Sequence, residues 1–109
     1  MQVLDHVFKV EDIVKKDNIL EVVADKYCRA ILDTTMYKPK SVMEIAVDAK
    51  IPLSTVYRRL QSLEDQKLLW TSGEINEDGK RMYLYKSKVK GIKCSFNNGK
   101  IEVEVILNR

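Results

Sequence analysis

The sequence predicts an α+β fold in which a three-helix core is followed by two β-hairpins. Three observations carry that prediction. Apolar residues recur at helical spacing up to Leu68, and a capping box and a short break divide that stretch. Beyond Leu68 the period becomes alternating, around the turn signals Asp78-Gly79 and Asn98-Gly99. At 109 residues, 45% of them apolar and 32% charged, the chain is a single globular domain rather than a disordered segment.

Residues 1–16 form an N-terminal arm. Val3, Leu4, Val7, Phe8 and Val10 fit either a short strand or an amphipathic arm. Asp17 is placed to cap a first long helix, in which Ile19, Val23, Tyr27, Ala30 and Ile31 repeat at helical spacing. It fades near Thr34, and Pro39 ends any continuation.

Ser41-Val42-Met43-Glu44 is a capping box before Ile45, Ala46 and Ala49, so a helix of about two turns is expected over 42–49. Ile51-Pro52-Leu53 breaks it. Ser54 is then placed to cap a run from Thr55 to about Lys67, with Val56, Leu60 and Leu63 on one face.

Segments 68–75 and 80–86 flank Asn76-Glu77-Asp78-Gly79 as a first hairpin. Segments 89–97 and 100–107 flank Asn98-Gly99 as a second. A two-residue turn there sets Phe96 opposite Ile101, Cys94 opposite Val103 and Ile92 opposite Val105 on one side. Lys93 then faces Glu104 on the other.

Helix, short capped helix, tight turn, longer helix and basic-tipped hairpin, in that order, make a winged helix-turn-helix over 17–86, with 87–109 as a C-terminal β-hairpin extension. The motif needs a small residue where its two helices cross, a buried apolar residue in the turn and an apolar ridge on the second helix. Ala46, Ile51 and the Val56–Leu60 pair supply them.

Charge points to the same region. The net charge is +3, but residues 50–93 alone carry 10 basic and 5 acidic side chains. The face of the 54–67 helix opposite its ridge reads Ser54, Thr55, Tyr57, Arg58, Arg59, Gln61 and Ser62, nearly all able to hydrogen-bond a base edge or a phosphate. An arginine suits a bidentate contact to guanine, and Gln61 one to adenine. Ser54 and Thr55 lie where helix N–H groups favour a phosphate. Lys80 and Arg81 at the wing tip reach an adjacent backbone or minor groove, and Lys86, Lys88 and Lys90 extend the positive strip. Arg59, beside Leu60, points either outward or back toward the first helix, and Tyr57 is either packing or readout.

Other chemistry finds no support. Cys28 and Cys94 are 66 positions apart with no metal-binding spacing, and the one histidine, His6, is far from both in sequence. Cys28 reads as a small core residue, Cys94 as filling the apolar face of the last hairpin, Trp70 as sealing the base of the wing and His6 as surface. There is no nucleophile–base arrangement and no phosphate-cradling glycine loop, so no enzyme, cofactor or metal is expected. Charges at Asp5, Lys9 and Glu11 interrupt any signal peptide, and no apolar run is long enough for a membrane span. A soluble, cytoplasmic protein is expected.

The stretches Ser41-Val-Met-Glu-Ile-Ala and Ile51-Pro-Leu-Ser-Thr-Val-Tyr-Arg-Arg-Leu-Gln-Ser-Leu-Glu-Asp-Gln-Lys-Leu-Leu69 resemble the ArsR-like winged-helix repressors of archaea and bacteria. Val23-Ala-Asp-Lys-Tyr-Cys-Arg-Ala-Ile-Leu32 is similar to the helix preceding the motif in that family. The final hairpin is similar to the extension of some archaeal members. The resemblance covers roughly Asp17–Lys86 and implies a homodimer on a pseudo-palindromic operator, with the 54–67 helix in the major groove.

Two positions depart from the family pattern. Lys50 stands where the turn usually has glycine, and the 42–49 helix lacks the paired cysteines of metal-sensing members, so metal sensing does not carry over. The expected function is a double-stranded DNA-binding transcription regulator, with a winged-helix protein-interaction module as the alternative.

Overall fold

The computed structural model describes residues 6–109, so the expectations placed on Val3 and Leu4 lie outside the described residues. Strand β1 (Val7–Val10) leads into helices α1 (Ile13–Ala24), α2 (Lys26–Thr34), α3 (Val42–Ala49) and α4 (Leu53–Asp65). Strands β2 (Leu69–Ile75) and β3 (Arg81–Ser87) form the wing, and β4 (Val89–Asn97) and β5 (Lys100–Leu107) the last hairpin. The fold is α+β, a winged helix-turn-helix with added strands, and the described residues form four helices where three were expected.

The extra helix arises at Asp25. Asp12, not Asp17, begins α1, its Oδ1 accepting the Val14 and Lys15 N–H groups at 2.8 and 3.1 Å. Asp17 lies within that helix. Asp25 leaves helical geometry (φ −89°, ψ 118°), and its carboxylate accepts the Cys28 N–H at 3.0 Å to start α2. A side chain that offers the backbone a local partner breaks an otherwise continuous helical pattern.

The capping box forms as expected: Ser41 Oγ accepts the Glu44 N–H at 3.2 Å, and Glu44 Oε1 accepts the Ser41 N–H at 3.0 Å. Helix α4 departs from expectation. It begins at Leu53 because the Pro52 carbonyl accepts the Thr55 and Val56 N–H groups, both at 3.0 Å, so Ser54 lies inside the first turn and caps nothing.

Among the described residues the strands form two antiparallel sheets, β2–β3 and β1–β5–β4. Register in the last hairpin is as read from the turn, with Phe96, Cys94 and Ile92 opposite Ile101, Val103 and Val105. The ambiguous N-terminal segment resolves as a strand because β5 offers it an edge, with Val7 opposite Ile106 and Val10 opposite Val103.

One core joins all layers. Ile19, Ile31, Ile45, Val56, Leu63 and Val103 are fully buried, and Ile51 closes the turn against them. Cys28 is buried as expected and His6 is exposed. Cys94, by contrast, is exposed: it shares a face with buried Val103, but its strand is the outer one and the helices cover β5. Trp70 does not seal the wing either. It is 43% exposed on the wing's outer face, with Lys86 Nζ 5.8 Å from its ring centre.

Candidate nucleic-acid interface

The α3–α4 turn sets how α4 is presented. Lys50 adopts left-handed backbone (φ 56°, ψ 49°), its N–H donating to Val47 O at 3.3 Å, while Ile51 N–H donates to Ala46 O at 3.1 Å. The left-handed conformation is thus kept without glycine, at a strain of about 1 kcal/mol. Burial of Ile51 locks the turn, and Val56, Leu60 and Leu63 press α4 onto the core.

At about 100° per residue, the direction opposite this ridge holds Ser54, Arg58, Gln61 and, one turn on, Asp65. Tyr57 and Ser62 flank the row. Ser54, Tyr57, Arg58, Gln61 and Ser62 are exposed and Thr55 is half-buried. Gln61 Nε2 donates to Asp65 Oδ1 at 2.9 Å, and Ser62 Oγ donates to Arg58 O at 3.4 Å. Asp65 therefore confines the anion-attracting part of this face to the first two turns of α4. No side chain among the described residues caps α4; the Pro52 carbonyl takes the Thr55 and Val56 N–H groups, and the helix N-terminus points to the same end as Ser54.

Arg59 does not join the row. Its Nε donates to Asp25 Oδ2 at 2.7 Å, and the guanidinium lies 5.5 Å from the Tyr27 ring centre. Burial alone would raise the Asp25 pKa, but hydrogen bonds from Arg59 and Cys28 hold it below the ordinary carboxylate value. The hydrogen bond to Asp25 raises that of Arg59. The position of Arg59 one step round from Arg58 puts it beside the buried ridge, facing α2.

The wing continues the surface. Its inner side carries Leu69 and Ser87 into the core, then Tyr85, Tyr83 over Gly73, and finally Arg81 opposite Ile75. Asn76 Oδ1 accepts the Asp78 and Lys80 N–H groups and shapes the tip, with Gly79 at φ 76°. Lys80 and Arg81 are exposed. Lys86 lies on the opposite side of the wing, where its Nζ donates to Arg109 O at 3.1 Å, so it does not extend the strip beside α4. Tyr83 was missed in the sequence. Alternation within β3 puts it on the same side as Arg81, and that signal was available.

No group of three or more His, Cys, Asp or Glu among the described residues could hold a metal ion. No described helix is long and apolar enough to cross a membrane.

No family model matches the chain, and no curated protein matches it. Solved structures do. NolR from Sinorhizobium fredii is 21% identical, with 71% of this chain covering 72% of that one at a TM-score of 0.57. HlyU from Vibrio cholerae is 20% identical, with coverages of 68% and 75% and a TM-score of 0.57. The homodimeric winged helix-turn-helix DNA-binding domain of Mb0332 from Mycobacterium bovis, described as a possible ArsR-family transcriptional regulator, is 23% identical. Coverages there are 69% and 65%, and the TM-score is 0.54. At these identities the shared property is the fold, a winged helix-turn-helix of the kind found in transcription regulators.

Proposed function

We propose that this protein is a sequence-specific, double-stranded DNA-binding transcription regulator that reads the major groove with α4. One observation carries the reading: the side of α4 opposite its buried ridge presents Ser54, Arg58 and Gln61 to solvent, beside a wing ending in Lys80 and Arg81. Arg58 supplies a bidentate base contact or a phosphate contact, Gln61 exchanges Asp65 for a base edge, and Ser54 and Thr55 meet the backbone at the helix N-terminus. Tyr57 stands exposed at the edge of the same face.

A homodimer acting as a repressor by occluding a promoter follows from the same reading, since one helix spans too few base pairs for genomic specificity. The homodimeric state of the Mb0332 domain supports it. Exposed Phe8, Ile13, Val14 and Phe96 make α1, the N-terminal strand and the last hairpin the surface for it.

The test is fluorescence anisotropy of a labelled random duplex at two salt concentrations. Binding that falls steeply with salt and weakens in Arg58→Ala is expected. Salt-independent or undetectable binding refutes the reading. It would favour a protein-interaction module, for which exposed Met43 and Val47 on α3 would be the contact.

A further inference from the structure

Arg58 and Arg59 are adjacent in sequence yet differently engaged. Arg58 is exposed, whereas the Arg59 side chain is 28% exposed and its Asp25 partner 26%. Asp25 is no flexible surface acceptor. Its backbone N–H donates to Glu21 O and Val22 O, both at 3.2 Å, which fixes it at the junction of α1 and α2. Its Oδ2 takes both the Cys28 N–H and the Arg59 Nε–H, and Tyr27 lies against the same guanidinium. Holding two long side chains together costs rotamer entropy at a free surface; here the acceptor is already fixed, so little remains to lose. The opposed pKa directions of Asp25 and Arg59 agree with a formed pair.

Resting on the reading of α4 as the DNA-facing helix, we propose that Asp25 is a positioning residue that withholds Arg59 from the duplex, leaving Arg58 as the one arginine of α4 that meets DNA. Turning Arg59 outward would break the ion pair and leave an unpaired carboxylate, whereas keeping it neutralises Asp25 and ties α4 to the α1–α2 junction. The pair therefore trades one phosphate contact for a fixed rotation of α4 about its own axis. Fixed rotation is what base readout demands, because bidentate contacts tolerate little angular error.

The slope of log affinity against log salt counts neutralised phosphates, at about 0.9 per contact. It is measured by anisotropy on one labelled duplex for wild type, Arg58→Ala, Arg59→Ala, Asp25→Asn and the double variant Asp25→Asn with Arg59→Ala. Asparagine keeps an oxygen for the Cys28 N–H and removes the charge. Arg59→Ala is expected to leave the slope unchanged. Asp25→Asn is expected to steepen it by about 0.9 through the released Arg59, and the double variant to restore it.

An Arg59→Ala slope reduced by about 0.9 overturns the proposal, as does an Asp25→Asn slope equal to wild type. Should Asp25→Asn not fold, Arg59→Ala decides alone. A wild type without salt-dependent binding refutes the proposed function and takes this inference with it; wild-type binding with the wrong Arg59→Ala slope refutes the inference only.

Discussion

Lys50 and Lys67 occupy equivalent places, one ending α3 and the other ending α4. Both have left-handed backbone, at φ 56° and 59°, and each precedes a buried aliphatic residue, Ile51 and Leu68. Lys67 N–H donates to Glu64 O at 2.8 Å and Leu68 N–H to Leu63 O at 2.9 Å, the bonding seen at Lys50. Both helices of the motif thus end in the same two-bond cap, with lysine where glycine is favoured.

Lys67→Gly is therefore expected to stabilise the protein. Relief of about 1 kcal/mol of left-handed strain is partly offset by a freer unfolded chain, leaving about 0.5 kcal/mol and a rise of a few degrees in Tm. Lys67→Val, branched at Cβ, should lower stability by at least 1 kcal/mol. Thermal melts followed by circular dichroism read both signs, and two shifts in the same direction would disprove the strain argument.

Removing the capping box should cost about 1 kcal/mol. In Ser41→Ala the Glu44 N–H loses its side-chain acceptor, and α3 holds only eight residues over which to absorb the loss. Urea unfolding should show a lower midpoint at unchanged m-value. A midpoint equal to that of wild type would mean the box contributes nothing to α3.

The two thiols should separate by reactivity. Burial, with Asp25 beside it, pushes Cys28 up to about 12, while Cys94 is exposed and raised only by the burial it retains. Only the thiolate attacks a disulfide reagent. One thiol per chain should titrate at pH 8 in native buffer and two in guanidinium. Rapid release of both from folded protein would show that the α2 core opens readily.

Stability should carry an acid limb that belongs to Asp25. Its folded pKa lies below the unfolded one, so its contribution is complete above the ordinary carboxylate range and is lost as pH falls through the folded value. Arg59 stays charged and Cys28 neutral across that window. Glu21 and Asp65 line the same hollow as Asp25 and are present in both proteins, so comparison with Asp25→Asn isolates the Asp25 carboxyl. The stability advantage of wild type over Asp25→Asn should shrink between pH 5 and pH 2. An advantage that stays constant over that range would contradict the lowered pKa.

What the sequence made legible was local. Asn98-Gly99 has both residues at positive φ (53° and 76°), so turn type and strand register followed from two residues and an alternating pattern. The Ser41 box and the Val56–Leu60–Leu63 ridge were legible for the same reason.

What failed depended on partners distant in sequence. Asp25 reads as one polar residue among several on a helix, and its break gains meaning only with Arg59, 34 positions later. Ser54 is a favoured cap type, but the preceding proline carbonyl had already begun the helix. The parity of Cys94 was right, while its burial required a cover that the helices provide only over β5. The basic character of the α4–wing surface was legible, and so was the choice open to Arg59 beside Leu60, outward or turned back; its Asp25 partner was not.

The pairing of Val7 with Ile106 joins the first described strand to the last. The helices and wing are complete once residue 87 has emerged, but the core they enclose lacks Val103 and Val105 until the final strand arrives. Contacts spanning nearly a hundred residues are slow to close. A chain still short of β5 therefore exposes an unfinished apolar surface, and β1 lacks its one described partner strand until β5 is made.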